Sequence, residues 1–235
     1  TTVGTVKSYF NAFIHRWPTL KDFSKAPLED VLHAWQGLGY YTRARSLVKC
    51  AAQLMENYNG EFPNDPKILI KLSGIGPYSA ASIASIAFDY PIVPVDGNVV
   101  RVFARLGALK DPVDDLKKTL PQSLENHAPK KRAGDFAQAL MDLGATVCTP
   151  SNPSCEVCPI HSLCKAFTLG QVDSFPVKSP KPEKQKLYTI ATIFKNKNGE
   201  ILLRQNPPQG LLANLWGVPT SPWVPQTKKK NKSLI

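Results

Sequence analysis

With 235 residues, 43% of them hydrophobic and 9% aromatic, the chain can bury one or two ordinary cores. That excludes a mini-protein, a collagen and a wholly disordered chain, and no apolar run approaches the roughly 20 residues of a membrane-spanning helix. The net charge of +11 suggests a polyanionic partner, but residues 1–164 carry 17 basic and 15 acidic side chains while residues 165–235 carry 12 and 3, so most of the excess is tail.

In chain order, apolar residues recur at helical spacing over Thr5–Arg16, Pro27–Trp35, Thr42–Tyr58, Asp65–Leu72, Ser79–Phe88, Gly97–Leu106, Leu116–His127 and Ala133–Leu143. This region reads as all-α. Phe175–Lys186, rich in Pro and charge, reads as an extended linker and a domain boundary. Beyond it, Leu187–Lys195 and Glu200–Gln205 have strand composition around the turn Asn196-Lys-Asn-Gly199, which predicts a hairpin. Only about 40 residues follow the linker before Pro, Lys and Asn take over, too few for an independent β-containing core.

Four of the five cysteines, Cys148, Cys155, Cys158 and Cys164, fall within seventeen residues as C-x6-C-x2-C-x5-C, on a loop bent by Pro150, Pro153 and Pro159. Thiolates this close can converge on one centre. A disulfide needs an oxidising compartment, for which the chain shows no address; zinc and an iron–sulfur cluster stay equally open on spacing alone. Cys50, beside Ala51 and Leu54, reads as a small buried apolar residue.

Ser73-Gly-Ile-Gly-Pro77 joins two helical segments, and Gly74 and Gly76 would let a phosphate approach the free N–H groups of the helix carrying Ser79. An ordinary helix corner explains the same residues. Asp96 stands just before a helix whose apolar positions are Val99, Val102, Phe103 and Leu106, so an N-cap role suffices for it; a carboxylate there can also face a cation developing on a substrate.

Taken in order, Leu72-Ser-Gly-Ile-Gly76, Val95-Asp96-Gly-Asn98 and the four cysteines resemble the helix-hairpin-helix DNA glycosylase superfamily with its [4Fe–4S] loop. Trp35-Gln-Gly-Leu-Gly-Tyr-Tyr-Thr-Arg-Ala-Arg45, the Asp-Gly-Asn form and Met141-Asp-Leu-Gly-Ala145 are similar to the MutY-type adenine DNA glycosylases. The similarity runs from Thr1 to about Phe167. Ile201–Gln205 and Gly210–Pro219 resemble the start of that family's Nudix-like domain. The resemblance implies an all-α, two-lobed fold: a hairpin lobe at 1–91, an iron–sulfur lobe at 92–170, a linker at 171–186, a partial Nudix-like segment at 187–226 and an unrelated basic tail at 227–235.

The implied chemistry is hydrolysis of the adenine–sugar bond in duplex DNA containing A:8-oxoguanine or A:G mispairs, by a monomer with no membrane partner. The implied location is the bacterial cytoplasm and nucleoid, or the nucleus or mitochondrion of a eukaryote. Asp96 would oppose positive charge on the sugar, Asn98 would orient Asp96, and Gln138 would contact the flipped adenine. Tyr78 occupies the position where bifunctional relatives carry a Schiff-base lysine, so a monofunctional site is expected. Tyr40 would wedge into the base stack, with Gln36 near the same surface, whereas core packing suits Tyr41 and Trp35. Gly74, Gly76 and Ser79 would grip DNA, and Cys148, Cys155, Cys158 and Cys164 would hold the cluster.

The family's general-acid glutamate lies a few residues ahead of the position matching Thr1, and none of Glu29, Glu56, Glu61, Glu125 or Glu156 has a matching context. An impaired enzyme is therefore expected from these residues, since losing general-acid catalysis costs roughly 10²–10⁴ in rate. Two other readings are a noncatalytic DNA-binding remnant and an oxidised-pyrimidine glycosylase with lyase activity, against which Tyr78 and Asp-Gly-Asn argue.

Overall fold

The computed structural model describes residues 3–125, 127–179, 185–208 and 213–225. The chain divides into a unit at Thr1–Ser179 and a second at Pro180–Ile235. Among the described residues, the first unit is helical: α1 (Val3–Arg16), α2 (Leu20–Ser24), α3 (Leu28–Ala34), α4 (Tyr41–Asn57), α5 (Pro66–Leu69), α6 (Pro77–Phe88), α7 (Gly97–Gly107), α8 (Val113–Ser123), α9 (Ala133–Asp142) and α10 (Lys165–Thr168). No described helix is long and apolar enough to cross a membrane.

The long helices follow the apolar periodicity, and their ends follow local chemistry. Helix α2, absent from the sequence reading, is a single turn closed by a capping box: the Asp22 amide donates to Thr19 Oγ1 and the Thr19 amide to Asp22 Oδ2. Helix α8 begins earlier than periodicity suggests, after Pro112 and with Asp114 and Asp115 in its first turn, and stops at Ser123 rather than His127. Helix α9 runs on into one π-helical turn, Leu143–Val147, that delivers the chain to Cys148.

Three cores hold this unit. Phe23, Val31, Ala44 and Ala51 pack beneath α1, α3 and α4, and Cys50 and Leu54 of α4 meet Leu69, Leu72, Ala80 and Ala84. Val99, Val100, Val102 and Ala104 of α7 join Leu116, Leu120, Leu124 and Leu140. Small residues let α6 and α9 approach: an added Cβ at Gly134 would stand 2.7 Å from the Ser85 carbonyl oxygen.

In the second unit, the turn at Asn196–Gly199 forms, with the Asn196 amide donating to the Glu200 carbonyl and the Leu202 amide to the Phe194 carbonyl. The two predicted strands nevertheless do not pair along their length. β1 (Leu187–Tyr188) pairs antiparallel with β4 (Val224–Pro225), and β2 (Arg204–Gln205) pairs antiparallel with β3 (Trp216–Gly217). Most of the intervening apolar side chains, Ile190, Ile193, Phe194, Ile201 and Leu202 among them, are exposed, so little burial favours a longer hairpin. Residues 180–184 of the expected linker, Gly210–Leu212 of the Nudix-like pattern and the basic tail at 227–235 lie outside the described residues.

Asp89, at φ 51° just past α6, caps the start of α9 from outside that helix: its carboxylate accepts the amides of Arg132 at 2.9 Å and Gly134 at 3.1 Å. The amides of Gly134 and Arg132 hold the Asp89 carboxyl below its ordinary pKa. A carboxyl more acidic in the folded than in the unfolded chain stabilises above the unfolded pKa of about 4 and ceases to as pH falls through the lower folded value. Asp89→Asn, which keeps a side chain suited to this backbone, should lower the melting temperature at pH 7, and the gap to wild type should narrow as the buffer is taken toward pH 2. A gap independent of pH would mean the charge is not what matters.

Candidate functional site

Helix α7 carries the centre of the site at its first turn. Asp96 is its N-cap: Oδ1 accepts the amides of Asn98 at 2.9 Å and Val99 at 2.8 Å, while Oδ2 accepts Asn98 Nδ2 at 3.0 Å. Three donors from one side fix the plane of the carboxylate, and the residue remains half-buried rather than sealed in the core. The capping role read from the sequence is thus real, and it leaves the carboxylate at the surface.

Asn98 is held in turn, because its Oδ1 accepts Arg101 Nη2 at 2.8 Å. Arg101 also donates through Nη2 to the Gly144 carbonyl at 2.5 Å and through Nε to the Cys148 carbonyl at 2.7 Å. One turn later, Arg105 donates to the Cys148 Sγ at 3.3 Å, to the carbonyls of Thr149 at 2.7 Å and Pro150 at 3.3 Å, and to those of Val172 and Phe175. Both residues are nearly enclosed, at 8% and 2% exposure. Burial lowers the Arg101 pKa, Cys148 opposes that, Arg105 adds to it and Asp96 raises it again. The sequence reading overlooked this pair; two arginines four apart on an otherwise apolar helix were the available signal.

Gly144 must be glycine for this arrangement to close, since an added Cβ would stand 2.6 Å from Asn98 Cβ. Three residues earlier, Met141 Sδ receives the Tyr78 hydroxyl at 3.6 Å, a weak contact. The end of α9 and its π-helical turn therefore touch Tyr78 on one side and Asn98 on the other. Gln138, one turn before Met141, is exposed and donates to the Gly134 carbonyl at 3.1 Å.

Tyr78 is 40% exposed at the start of α6, whose N-cap Gly76 offers no side chain. The preceding turn is pinned by the Ser73 amide donating to Gln53 Oε1 at 2.7 Å. Gly74, at φ 80°, lies so close to α4 that an added Cβ would meet Ser46 Cβ at 2.6 Å. Gly76 differs, being extended with open space where a Cβ would go, so nothing within the chain requires glycine there. A cavity of about 340 Å³ between this turn and α4 is lined by Trp35, Arg43, Ser46, Gly74 and Ser79, among others, and does not include Asp96 or Tyr78. Gln36 and Tyr40 sit in the loop entering α4; both are exposed, Tyr40 to 81%.

The four clustered cysteines are free and half-buried, set by short helical turns at Cys155–Val157 and His161–Leu163, and all four line one cavity with Arg105, His161 and Phe167. Burial raises the Cys155 pKa, followed by the nearby Cys148 and Cys164. Among the described residues, no group of three or more His, Cys, Asp or Glu is disposed to hold a single metal ion. A four-iron cluster is larger than one ion and bonds each thiolate at a separate corner, so thiols spaced around a common cavity beside a guanidinium fit it.

Residues 1–129 match the family model of HhH-GPD superfamily base excision DNA repair proteins, and residues 148–164 match the iron–sulfur binding domain of endonuclease III. The chain is 37% identical to a human adenine DNA glycosylase over all of its own length and 52% of the relative's. An adenine DNA glycosylase of Buchnera aphidicola from Schizaphis graminum is 32% identical, over all of this chain and 71% of that one. The chain spans about half the length of the plant and mammalian relatives it matches. In three dimensions it is similar to a solved endonuclease III–DNA complex, trapped as a covalent intermediate with an estranged adenine: TM-score 0.60 and 31% identity over 72% of this chain and 79% of that one.

Protein purified anaerobically should be brown and contain about four irons per chain. Cys158→Ser should lose most of that iron and the visible absorbance with it; colourless, zinc-loaded wild type would overturn the assignment.

Proposed function

The chain belongs to the HhH-GPD superfamily of base excision DNA repair proteins, in its adenine DNA glycosylase branch, and on that footing we propose that it hydrolyses the N-glycosidic bond of adenine mispaired with 8-oxoguanine or guanine. The observation that carries the reading is the Asp96 carboxylate at the start of α7, fixed by three N–H donors and still half-exposed.

The target base is inaccessible in a duplex, so the nucleotide must be flipped out. In the proposed cycle Tyr40 enters the stack in its place, with Gln36 beside it, while the backbone around Gly74 and Gly76 and the first turn of α6 with Ser79 grip a phosphate. The open space beside Gly76 is what that phosphate would take. Gln138 meets the adenine edge. Asp96, aimed by Asn98, then opposes the positive charge that develops on the sugar as the bond to the purine breaks. Tyr78 carries no amine, so no imine with the sugar forms and the strand stays intact.

Cys148, Cys155, Cys158 and Cys164 would hold a [4Fe–4S] cluster, which when bound supplies a four-point crosslink of the loop. The residues that transmit this order toward Asp96 are Arg101 and Asn98. Acting as a monomer, the protein would work on genomic DNA wherever its cell keeps it.

The test is single-turnover cleavage of a duplex with adenine opposite 8-oxoguanine. Adenine should be released without strand scission, and Asp96→Asn should lower the rate at least about 10²-fold. Scission before alkali treatment would mark a lyase, and binding with no release would mark a noncatalytic DNA-binding protein.

A further inference from the structure

Tyr40 stands in a conformation that its own sequence does not favour. It is a bulky residue at φ 47°, at the entrance to α4, with no side-chain cap and four-fifths of its surface in solvent. Two side chains outside the turn hold it there. Tyr9 of α1 donates its hydroxyl to the Gln36 carbonyl at 2.7 Å across 27 residues of sequence, and the Trp35 indole N–H donates to the Gly39 carbonyl at 2.9 Å.

The two anchored carbonyls bracket Gly37 and Leu38, so the turn is tied on both sides immediately before Tyr40. Gly37, at φ 95°, lets the backbone come in under the phenol: an added Cβ would stand 2.7 Å from Tyr9 Oη. Behind the turn, the Trp35 ring meets Phe13 of α1 edge-on at 6.0 Å and packs against the core of Phe23, Val31, Ala44 and Ala51. Trp35 is therefore core and anchor together, while the Tyr9 hydroxyl serves as the outer anchor.

We propose that Tyr9 and Trp35 are positioning residues that preset the Tyr40 turn for entry into the base stack. This rests on the reading of Tyr40 as the wedge. Inserting an aromatic plate costs base unstacking, and a loose turn would add its own ordering cost on top; a turn already tied at two carbonyls avoids the second cost.

Tyr9→Phe deletes only the hydroxyl and leaves the ring. Fluorescence titrations would compare a duplex carrying one A:8-oxoguanine mispair with the fully paired duplex of the same sequence. Tyr9→Phe should weaken mispair binding about fivefold, the weight of one neutral hydrogen bond, and leave binding to the paired duplex unchanged. Amide hydrogen exchange over residues 38–41 should speed up in the DNA-free variant. In a Tyr40→Ala background, Tyr9→Phe should cost nothing more, because the ring it positions is gone.

Wild-type mispair binding by Tyr9→Phe, or a loss that adds in full to that of Tyr40→Ala, overturns the proposal while leaving the wedge intact. If Tyr40→Ala itself binds the mispaired duplex like wild type, the wedge reading falls and takes the positioning role with it.

Discussion

Two buried guanidinium groups on one helix hold the site and the cysteine loop together. Stripping water from an arginine is costly unless every N–H finds an acceptor. Arg101 and Arg105 offset much of that cost with backbone carbonyls of the segments that must be placed: Gly144, Cys148, Thr149, Pro150, Val172 and Phe175. Carbonyls in an irregular loop have no ladder to bond within, so the arginines satisfy them and the loop supplies the acceptors in return. The same helix begins at Asp96, and Asn98 bonds both the carboxylate and Arg101. The distance from carboxylate to cysteine loop is thus set by one rigid turn of helix.

The antiparallel pair α6 and α9 supplies the second constraint. At one end Tyr78 meets Met141; at the other Asp89 caps the first amides of α9. Between them the small side chains bring the backbones close at Gly134 and Ser85. The turn at Ser73–Gly76 precedes α6 and the π-helical turn follows α9, so the pair carries that turn and the Asn98 contact on adjacent ends. A shift of α9 by even a fraction of a turn would move Gln138, Met141 and Gly144 together, and Gly144 has no slack against Asn98.

The helices of the first unit were legible because each buries a stripe at helical spacing: Val99, Val102 and their neighbours on α7, and Leu54 with Ala51 on α4. Asp96 was legible as a helix cap because capping needs only the residue and the run behind it. What escaped the sequence depends on contacts distant along the chain. Arg101 and Arg105 read locally as ordinary helix arginines, and only the return of residues 144–175 makes them buried. Tyr9 meets Gln36 by a tertiary contact that no local pattern announces. The start of α8 was missed for a different reason, since Asp114 and Asp115 interrupt the apolar pattern between Val113 and Leu116 although both of those pack into the core, and α2 because a five-residue helix has no period to detect. Its Thr19-x-x-Asp22 box was visible and would have revealed it.

The second unit fails the test that the first one passes. Its sequence has strand-like composition, and its turn at Asn196–Gly199 closes as composition demands, yet turn chemistry only brings two segments together. Holding them as a sheet requires one face to be buried, and here Ile190, Ile193, Phe194, Leu203 and Trp216 lie exposed instead. Among the described residues, pairing is limited to two-residue strands, where β1 finds β4 and β2 finds β3, and to isolated bridges such as Lys195 to Ile201. Local propensity and turn type agree with a hairpin, but the hydrophobic term that would convert agreement into strand length is lacking. In the helical unit α7 buries its apolar face against α8 and α9, and the two arginines on that same helix run a polar connection through the interior from the cysteine loop through Asn98 to Asp96.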